Sequence, residues 1–510
     1  MFKKILIANR GEIALRVMRT CRELGIATVA VYSDVDRNAL HVRYADEAYL
    51  LGGGPPRESY LNIKKIIEIA RQAKADAIHP GYGFLAENAE FAEACAKAHK
   101  VFIGPTPEAM RLLGDKVSAK QCVGKAGVPL VPGTDHEVEA EEAARIAGEI
   151  GYPVLIKAAA GGGGKGIRLV TEPAQIENAV RVASSEALAA FGNGGLFVEK
   201  YLSPVRHVEV QIIADSHGNA VALGERECSI QRRHQKLVEE TPSVAVDADL
   251  RQRMWTAAVA AAQASGYVNA GTVEFLLDKD KNFYFLEVNT RLQVEHPVTE
   301  ACTGLDLVAD QIRIAAGEAL AYRQEDIAPK GHAIECRISA EDPYNNFLPS
   351  LGRVDWVEEP SGPGVRVDSS LYSGVEVPYH YDPMLAKVIC WGPTREVAIE
   401  RMMRALREYV IVGIQSNIPF HLQLLADARF RAGEFDTGFL EREFTMAPPD
   451  GHPDEQAALL IAAVLAHLKR RRPMAVESQG ANGGGWRAAG REREREFRAM
   501  AQRRGWRHTS

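Results

Sequence analysis

The chain has 510 residues, of which 46 % are hydrophobic and 25 % are charged, and its formal net charge is −6. This ordinary globular composition excludes a disordered, collagen-like or coiled-coil protein. The negative charge argues against a dedicated nucleic-acid binder, and no apolar run reaches the roughly 20 residues that cross a membrane. The seven cysteines are scattered without a Cys-x-x-Cys pair, so we expect no disulfide framework, no zinc site and a cytoplasmic location.

The N-terminal part, residues 1 to about 113, alternates short apolar runs with helical periodicity. Four of these runs predict buried strands, at residues 4–8, 28–32, 77–79 and 101–103. Between the first two, apolar residues recur at helical spacing from Ile13 to Leu24. Strands that alternate with helices in this way predict a parallel sheet with helices on its faces.

A glycine-rich segment at residues 152–170 is the first sign of a function. It is not a Walker A loop, because Gly166 stands where such a loop has Ser or Thr after its lysine. The apolar run that follows, at 167–170, predicts a second strand rather than the helix of a dinucleotide-binding fingerprint. We therefore predict a hairpin flap whose backbone N–H groups approach phosphate oxygens, with Lys157 and Lys165 adding positive charge. A flexible surface turn is the alternative interpretation.

A second predicted hairpin carries two facing carboxylates. If Asp278 pairs with Phe283 across a four-residue turn, Glu274 lies directly opposite Glu287. Like charges at that spacing, about 5 Å, repel one another, and a divalent cation would relieve the repulsion. Hard oxygen ligands favour Mg²⁺ or Mn²⁺, and Asn289 on the same strand face offers a third oxygen. An exposed hairpin with its charges in water is the alternative interpretation.

A phosphate-binding flap together with a carboxylate-bound cation indicates ATP chemistry. Because the chain has neither a Walker A loop nor a kinase His-Arg-Asp motif, it resembles the ATP-grasp superfamily. Four further motifs resemble the biotin carboxylase family, and the resemblance extends from residue 1 to about 445. These motifs begin at Ile7 (IANRGEIA), His79 (HPGYGFLAEN), Arg226 (RECSIQRRHQK) and Asn289 (NTRLQVEHPVTE).

The resemblance implies an α/β and α+β multidomain fold. Its expected parts are a Rossmann-like N-terminal domain at 1–113, a central ATP-grasp domain at 114–330 with a mobile lid at about 131–203, and a C-terminal α+β domain at 331–446. The remaining segment, 447–510, is a basic tail that we expect to be partly helical, at 455–469, or disordered. A basic helix could bind an acidic partner, although such a run is more often a solvated tail.

The resemblance also implies roles for individual residues. Nucleotide contacts are expected from Lys116, Lys157, Gly163, Gly164, Glu199, Lys200, Tyr201, Leu202, His207, Gln231, His234, Glu274 and Glu287. The expected metal ligands are Glu274, Glu287 and Asn289. The expected catalytic residues are Lys236, Arg291 and Glu295, with Glu295 as general base, and the bicarbonate site would consist of Lys236, Arg291 and Val294. Biotin is expected at Arg337. Taken alone, His207 could be structural, and residues 231–236 could be a solvated basic loop.

The implied activity is ATP- and bicarbonate-dependent carboxylation of biotin through carboxyphosphate, with Mg²⁺ or Mn²⁺. This is the first half-reaction of an acyl-CoA carboxylase; acetyl-CoA is the expected final acceptor, and propionyl-CoA or pyruvate are alternatives. The chain contains no Met-Lys-Met biotinylation motif. We therefore expect a homodimeric subunit that works with a separate biotin carboxyl carrier protein and carboxyltransferase subunits. Two other hypotheses are an ATP-grasp ligase with an amino-acid or nucleotide-precursor substrate, and a regulatory subunit with an inactive site.

Overall fold

The computed structural model describes residues 1–134, 136–138, 140–158, 167–192, 194–448, 460–462 and 464–465. The chain divides into two compact units, Met1–Ala447 and Pro448–Ser510. In the second unit, residues 460–462 and 464–465 are helical, and the rest of the predicted tail helix lies outside the described residues.

The larger unit begins with a parallel sheet surrounded by helices. Its strands are β1 (Lys4–Ile7), β2 (Ala27–Ser33), β3 (Glu47–Gly52), β4 (Ala77–His79) and β5 (Val101–Phe102), and its helices are α1 (Gly11–Glu23), α2 (Leu40–Tyr44), α3 (Ile63–Gln72), α4 (Ala89–Lys97) and α5 (Pro107–Gly114). The strand order is β3-β2-β1-β4-β5, and all pairings are parallel. The four predicted strands and the parallel sheet are confirmed. Strand β3, which lies at the edge of the sheet and is only partly buried, was not among the predicted strands.

A three-stranded antiparallel sheet with helices forms the next part. Its elements are α6 (Lys116–Lys125), α7 (Ala140–Ile150), β6 (Val154–Ala158), β7 (Ile167–Val170), α8 (Ile176–Phe191) and β8 (Leu196–Lys200). Strand β6 pairs with both β7 and β8, so the two predicted strands of the flap are confirmed. The glycine-rich turn that joins them, with Gly163 and Gly164, lies outside the described residues.

Eight further strands form one antiparallel sheet, which positions most of the predicted site residues. The strands of this part are β9 (Val205–Ala214), β10 (Ala220–Arg232), β11 (Gln235–Thr241), β12 (Asn269–Asp278), β13 (Phe283–Asn289), β14 (His332–Ser339), β15 (Glu341–Asp342), β16 (Leu348–Pro349), β17 (Gly352–Arg353), β18 (Trp356–Glu358), β19 (Val365–Ser369), β20 (Glu376–Val377), β21 (Met384–Gly392) and β22 (Val410–Val412). The order of the large sheet is β13-β12-β9-β10-β11-β14-β21-β19. The short strands pair as β15 with β16, β17 with β20, and β18 with β22.

Helices cover this sheet and bury its apolar side chains. They are α9 (Ala248–Ala264), α10 (His296–Thr303), α11 (Leu307–Ala315), α12 (Arg395–Glu408), α13 (Ile418–Ala426), α14 (Ala428–Ala432) and α15 (Phe439–Arg442). Helix α9 contributes Met254 and Trp255 to a core that includes Phe275 and Phe283, whose rings meet edge to face at 5.3 Å. Within the described residues, every helix is too short or too polar to span a membrane.

The large sheet crosses one of the predicted domain boundaries. Strand β11 pairs with β14, so the sheet continues from one side of the predicted boundary at 330/331 to the other. The whole segment Met1–Ala447 is one compact unit. The division into domains at 113, 330 and 446 therefore stays a prediction.

Candidate active site

A row of charged side chains crosses the large sheet. Direct strand partners are Glu287 with Glu274, Glu274 with Glu209, and Glu209 with Arg226, on strands β13, β12, β9 and β10. Direct partners point to the same sheet face, so three carboxylates and a guanidinium lie side by side. The predicted facing of Glu274 and Glu287 is confirmed, and Glu209 and Arg226 extend the row beyond the hairpin.

The turn of this hairpin differs from the prediction. Phe283 pairs with Leu277 and not with Asp278, whose side chain instead accepts two backbone N–H groups of the turn at 2.8 and 2.9 Å. A β-bulge beyond Glu274 then inserts one extra residue on β13. This extra residue compensates for the one-residue difference between the observed and the predicted turn, so Glu274 lies opposite Glu287 as predicted.

One buried ammonium neutralises part of this acidic row. Lys236 Nζ lies 2.6 Å from Glu209, 2.9 Å from Glu274 and 2.7 Å from Glu295. Burial by itself would lower the pKa of Lys236, but the three carboxylates raise it well above its ordinary value. Lys236 is therefore a permanent cation in contact with three acidic groups.

Arg226, on β10, is the last member of the row that begins with Glu287. The side chain is fully buried, and its Nε donates to Glu209 at 2.5 Å. Its Nη1 donates to Gln211 at 2.6 Å and to Thr299 at 3.0 Å, and its Nη2 donates to Thr272 at 2.9 Å. These bonds tie β10 to β9, β12 and α10, because the partners of Arg226 lie on those three elements.

Glu295 lies directly before α10 and is held by two cations. It is fully buried, and its carboxylate accepts from Lys236 at 2.7 Å and from Arg337 at 2.9 Å. Burial would raise the pKa of Glu295, but Lys236 and Arg337 lower it well below its ordinary value. Arg337 also donates to Glu239 at 2.7 Å. Burial and the charge of Glu295 raise the pKa of Glu239 to about 7 against the opposing effect of Arg337.

Arg291 is joined to the acidic row through an amide. Its Nη2 donates to Asn289 Oδ1 at 3.0 Å, and Asn289 Nδ2 donates to Glu274 at 2.8 Å. Its Nη1 donates to Gln293 at 2.8 Å, and its Nε donates to Glu87 at 2.9 Å. The guanidinium is therefore fixed in orientation beside the row.

Two of the predicted nucleotide contacts also belong to this cluster. His207 Nε2 lies 3.0 Å from Glu274, and His207 Nδ1 lies 2.8 Å from the Gln231 amide. Burial lowers the pKa of His207, but the charge of Glu274 outweighs it and the pKa is raised. His234 is exposed in the turn between β10 and β11.

The predicted hinge segment lies at the end of β8. Glu199 is buried and forms ion pairs with Lys120 and Lys157. Lys157, a predicted phosphate ligand, is therefore paired with a carboxylate. The ammonium of Lys120 also lies 4.2 Å from the centre of the Phe197 ring.

The other hinge residues follow directly. Lys200 donates to the carbonyl groups of Gly151 and Tyr152 at 2.8 and 3.1 Å. Tyr201 and Leu202 come directly after β8. Lys116, another predicted nucleotide contact, is the first residue of α6. The hinge prediction thus falls on the edge strand of the flap sheet.

The predicted metal ligands suit a hard divalent cation. Within the described part of the chain, the Glu287 carboxylate has no hydrogen-bond or ion-pair partner. Burial raises the pKa of Glu287, and the charge of Glu274 raises it further. A cation held by Glu274, Glu287 and Asn289 would supply the missing charge, and the oxygen donors are those that Mg²⁺ and Mn²⁺ prefer.

Several residues of these clusters were not predicted from the sequence, among them Glu87, Lys120, Glu209 and Arg226. Glu87 and Arg226 lie inside the quoted motifs, so their signal was present but no role was assigned. Glu209 follows His207 at a spacing of two, which places both side chains on one face of a strand. The local sequence does not distinguish Lys120 from the other lysines of α6.

Three family models match consecutive parts of the chain. The model described as "Biotin carboxylase, N-terminal domain" matches residues 1–110. The model "Carbamoyl-phosphate synthase L chain, ATP binding domain" matches residues 115–323, and "Biotin carboxylase C-terminal domain" matches residues 335–442.

Individual relatives are similar over the same region. A biotin carboxylase of Nostoc sp. is 56 % identical over 86 % of this chain and 99 % of its own length. A pyruvate carboxylase subunit of Methanothermobacter thermautotrophicus is 55 % identical over 86 % of this chain and 90 % of its own length. A crystal structure of the biotin carboxylase domain dimer of Hydrogenobacter thermophilus 2-oxoglutarate carboxylase, with MgADP, ADP and bicarbonate, has a TM-score of 0.84 at 50 % identity and covers 88 % of this chain and 100 % of that one. The chain belongs to the biotin carboxylase family, ATP-dependent ligases of the ATP-grasp superfamily that carboxylate biotin.

Proposed function

We propose that this chain uses ATP and bicarbonate to carboxylate biotin on a separate carrier protein, through carboxyphosphate. The observation that carries the proposal is the meeting of Lys236, Arg291 and Glu295 beside the acidic row. Lys236 contacts Glu295 directly at 2.7 Å, and Arg291 is joined to Glu274, another partner of Lys236, through Asn289. Two cations and one ionised carboxylate thus belong to one connected cluster, and we propose that a small anion binds among them.

In this proposal, Glu295 removes the proton of bicarbonate. The two cations that contact Glu295 keep its pKa low, so it is ionised at neutral pH and has an oxygen lone pair for the proton. Lys236 donates to three carboxylates, and bicarbonate, a similar anion, would take over one of these contacts. Arg291 would hold the same anion with its planar guanidinium, beside Val294.

The deprotonated bicarbonate oxygen would then attack the γ-phosphorus of ATP. An O–P bond forms, the bond between the γ-phosphorus and the ADP oxygen breaks, and the products are carboxyphosphate and ADP. A bound Mg²⁺ or Mn²⁺ would neutralise charge on the phosphates. The proposed ligands of this cation are Glu274, Glu287 and Asn289. The proposed nucleotide contacts in the same part of the site are His207, Gln231 and His234, together with Glu274 and Glu287.

The flap side of the site would hold the rest of the nucleotide. Lys116, Lys157, Gly163 and Gly164 are the proposed phosphate contacts, and residues 199–202 are the proposed adenine hinge. Lys157 would exchange its partner Glu199 for a phosphate group. Since Lys120 also pairs with Glu199, that carboxylate would remain neutralised after the exchange.

Biotin would bind at Arg337. The C–O bond between the carboxyl carbon and the phosphate would break and give CO2 and phosphate. That phosphate would take the proton from N1′ of biotin, Arg291 would stabilise the enolate-like ureido oxygen, and N1′ would then form its bond to the carbon of CO2. Arg337 lies close to this chemistry because it contacts Glu295 at 2.9 Å.

We propose that the chain is a homodimeric cytoplasmic subunit of an acyl-CoA carboxylase, with a biotin carboxyl carrier protein and carboxyltransferase subunits as partners. Acetyl-CoA is the proposed final acceptor, and propionyl-CoA or pyruvate are the alternatives. The Nostoc relative, matched over 99 % of its length, supports a separate subunit. The named pyruvate and 2-oxoglutarate carboxylases indicate that related chains serve different acceptors.

The purified chain should release ADP only when bicarbonate is present, and free biotin should stimulate the release. The measurement is a coupled ADP assay with bicarbonate and biotin omitted in turn. ADP release that is independent of bicarbonate and unaffected by biotin or a biotinylated carrier would contradict the proposal and favour another ATP-grasp ligase.

Acetyl-CoA should become carboxylated when the chain is combined with the carrier protein and carboxyltransferase that co-purify with it. Labelled bicarbonate would be supplied with acetyl-CoA, propionyl-CoA or pyruvate, and the labelled product would be identified. Preferential labelling of propionyl-CoA or pyruvate would replace the proposed acceptor while leaving biotin carboxylation intact.

Arg291→Ala should lower the rate of biotin carboxylation by about 100-fold or more, because it removes a fixed donor to the reacting anion. ATP binding, measured by calorimetry, should stay within about twofold of the unchanged chain, since Arg291 is proposed to contact bicarbonate rather than the nucleotide. Arg323→Ala is the matched control, because Arg323 is an exposed arginine with one weak ion pair at 3.9 Å. Equal rates for the two variants would exclude the proposed role.

Glu287→Gln should raise the Mg²⁺ concentration for half-maximal activity by about tenfold, because a neutral amide replaces an anionic ligand. The check is a magnesium titration of ATP-dependent carboxylation at saturating bicarbonate. Asp280→Asn, in the exposed turn of the same hairpin, is the matched control and should leave the titration unchanged. An unaltered titration for Glu287→Gln would argue against a cation at the facing carboxylates.

A further inference from the structure

We infer that Lys387 is a positioning residue for the loop that carries Val294 and Glu295, an inference that rests on the proposed function. Lys387 lies on β21, and its side chain is fully buried. Its Nζ donates a 2.7 Å hydrogen bond to the backbone carbonyl oxygen of Val294. The ammonium therefore acts on the backbone of this loop.

Two neighbouring cations hold successive residues of the loop. Arg337 and Lys387 are direct partners across β14 and β21, so their side chains share a sheet face. Arg337 donates to the Glu295 carboxylate at 2.9 Å, while Lys387 donates to the Val294 carbonyl group. That carbonyl belongs to the peptide group that joins Val294 to Glu295. The peptide plane and the carboxylate that follows it are thus fixed from two adjacent strands.

The surroundings of Lys387 keep it charged. Its Nζ lies 3.4 Å from Glu12 and 3.9 Å from Asp368, and Asp368 is its direct partner on β19. Burial lowers the pKa of Lys387, but Glu12, Glu335 and Asp368 outweigh this effect and raise it. A charged donor binds a carbonyl oxygen more strongly than a neutral one does.

Stability alone does not account for an ammonium at this position. An apolar side chain of similar size often serves a buried site as well as, or better than, an ion pair does. Lys387 instead links separate parts of the chain, since Glu12 lies on α1 and accepts a hydrogen bond from Tyr82. The ammonium joins α1, β19 and β21 to the loop of Glu295, and this rigid connection sets the direction of the proposed base.

The test is Lys387→Met in the full-length chain, assayed by initial rates of biotin carboxylation. The KM for bicarbonate should rise about tenfold or more, as expected for a lost hydrogen bond from a charged group. The KM for ATP should stay within about twofold, because the hydrogen bond and ion pairs of Lys387 among the described residues are with Val294, Glu12 and Asp368 and not with the flap sheet. A purely structural role would lower the active fraction and therefore kcat, and would leave both KM values unchanged.

Arg395→Met is the matched control. Arg395 is a second largely buried cation. Among the described residues it pairs with Glu240 at 2.6 Å and donates to the carbonyl groups of Arg431 and Phe430, none of which belongs to the loop of Val294. This variant should lose stability and keep the bicarbonate KM of the unchanged chain. An equal rise of the bicarbonate KM in both variants would overturn the positioning role.

The double variant Lys387→Met/Glu12→Gln serves if the single variant does not fold, because it also neutralises Glu12, a buried carboxylate whose ion pair within the described residues is with Lys387. It should show the same rise of the bicarbonate KM. A folded single or double variant with an unchanged bicarbonate KM would overturn the inference. If the unchanged chain itself fails to use bicarbonate, the proposed function fails instead, so the two failures are distinguishable.

Discussion

The candidate site depends on the balance between three adjacent carboxylates and the cations that hold them. Glu287, Glu274 and Glu209 are successive strand partners, an arrangement that destabilises a sheet when the charges are not compensated. Lys236 contacts two members of this row and Arg226 contacts one. Removing one partner of a buried ion pair costs about 3–5 kcal/mol, because a charge is left without compensation. The cations therefore stabilise the sheet and fix the positions of the acidic groups.

The negative charge of the row is compensated at the end next to Arg226 and, among the described residues, is not compensated at the end formed by Glu287. Arg226 is enclosed by four hydrogen-bond partners, which makes its end of the row rigid. At the opposite end, Glu287 has no partner within the described residues. An unpartnered carboxylate beside an ionised one attracts a cation. The same sheet thus provides a permanently neutralised part that gives rigidity and an open acidic part that suits a metal–nucleotide complex.

The facing glutamates show how a sequence prediction can be correct in outcome and wrong in one step. The strand register counted from the predicted turn indicated that Glu274 and Glu287 face each other, and the structure confirms this pair. The predicted pairing of Asp278 with Phe283 is wrong by one residue, because Asp278 closes the turn with its side chain. The β-bulge on β13 cancels this offset. Bulges depend on packing against neighbouring strands, which local periodicity does not encode.

The sequence by itself determined the alternation of strands and helices in the N-terminal part, the strand pair of the flap and the strand pair that carries Glu274 and Glu287. These features follow from side-chain periodicity over a few residues, which is a local property of the chain. Only the tertiary structure decided that Glu209, Arg226 and Lys236 join those carboxylates, that Glu87 orients Arg291, and that Lys387 contacts the Val294 carbonyl group. Those contacts connect strands and loops far apart in the chain, and they form because the sheet order brings these elements together.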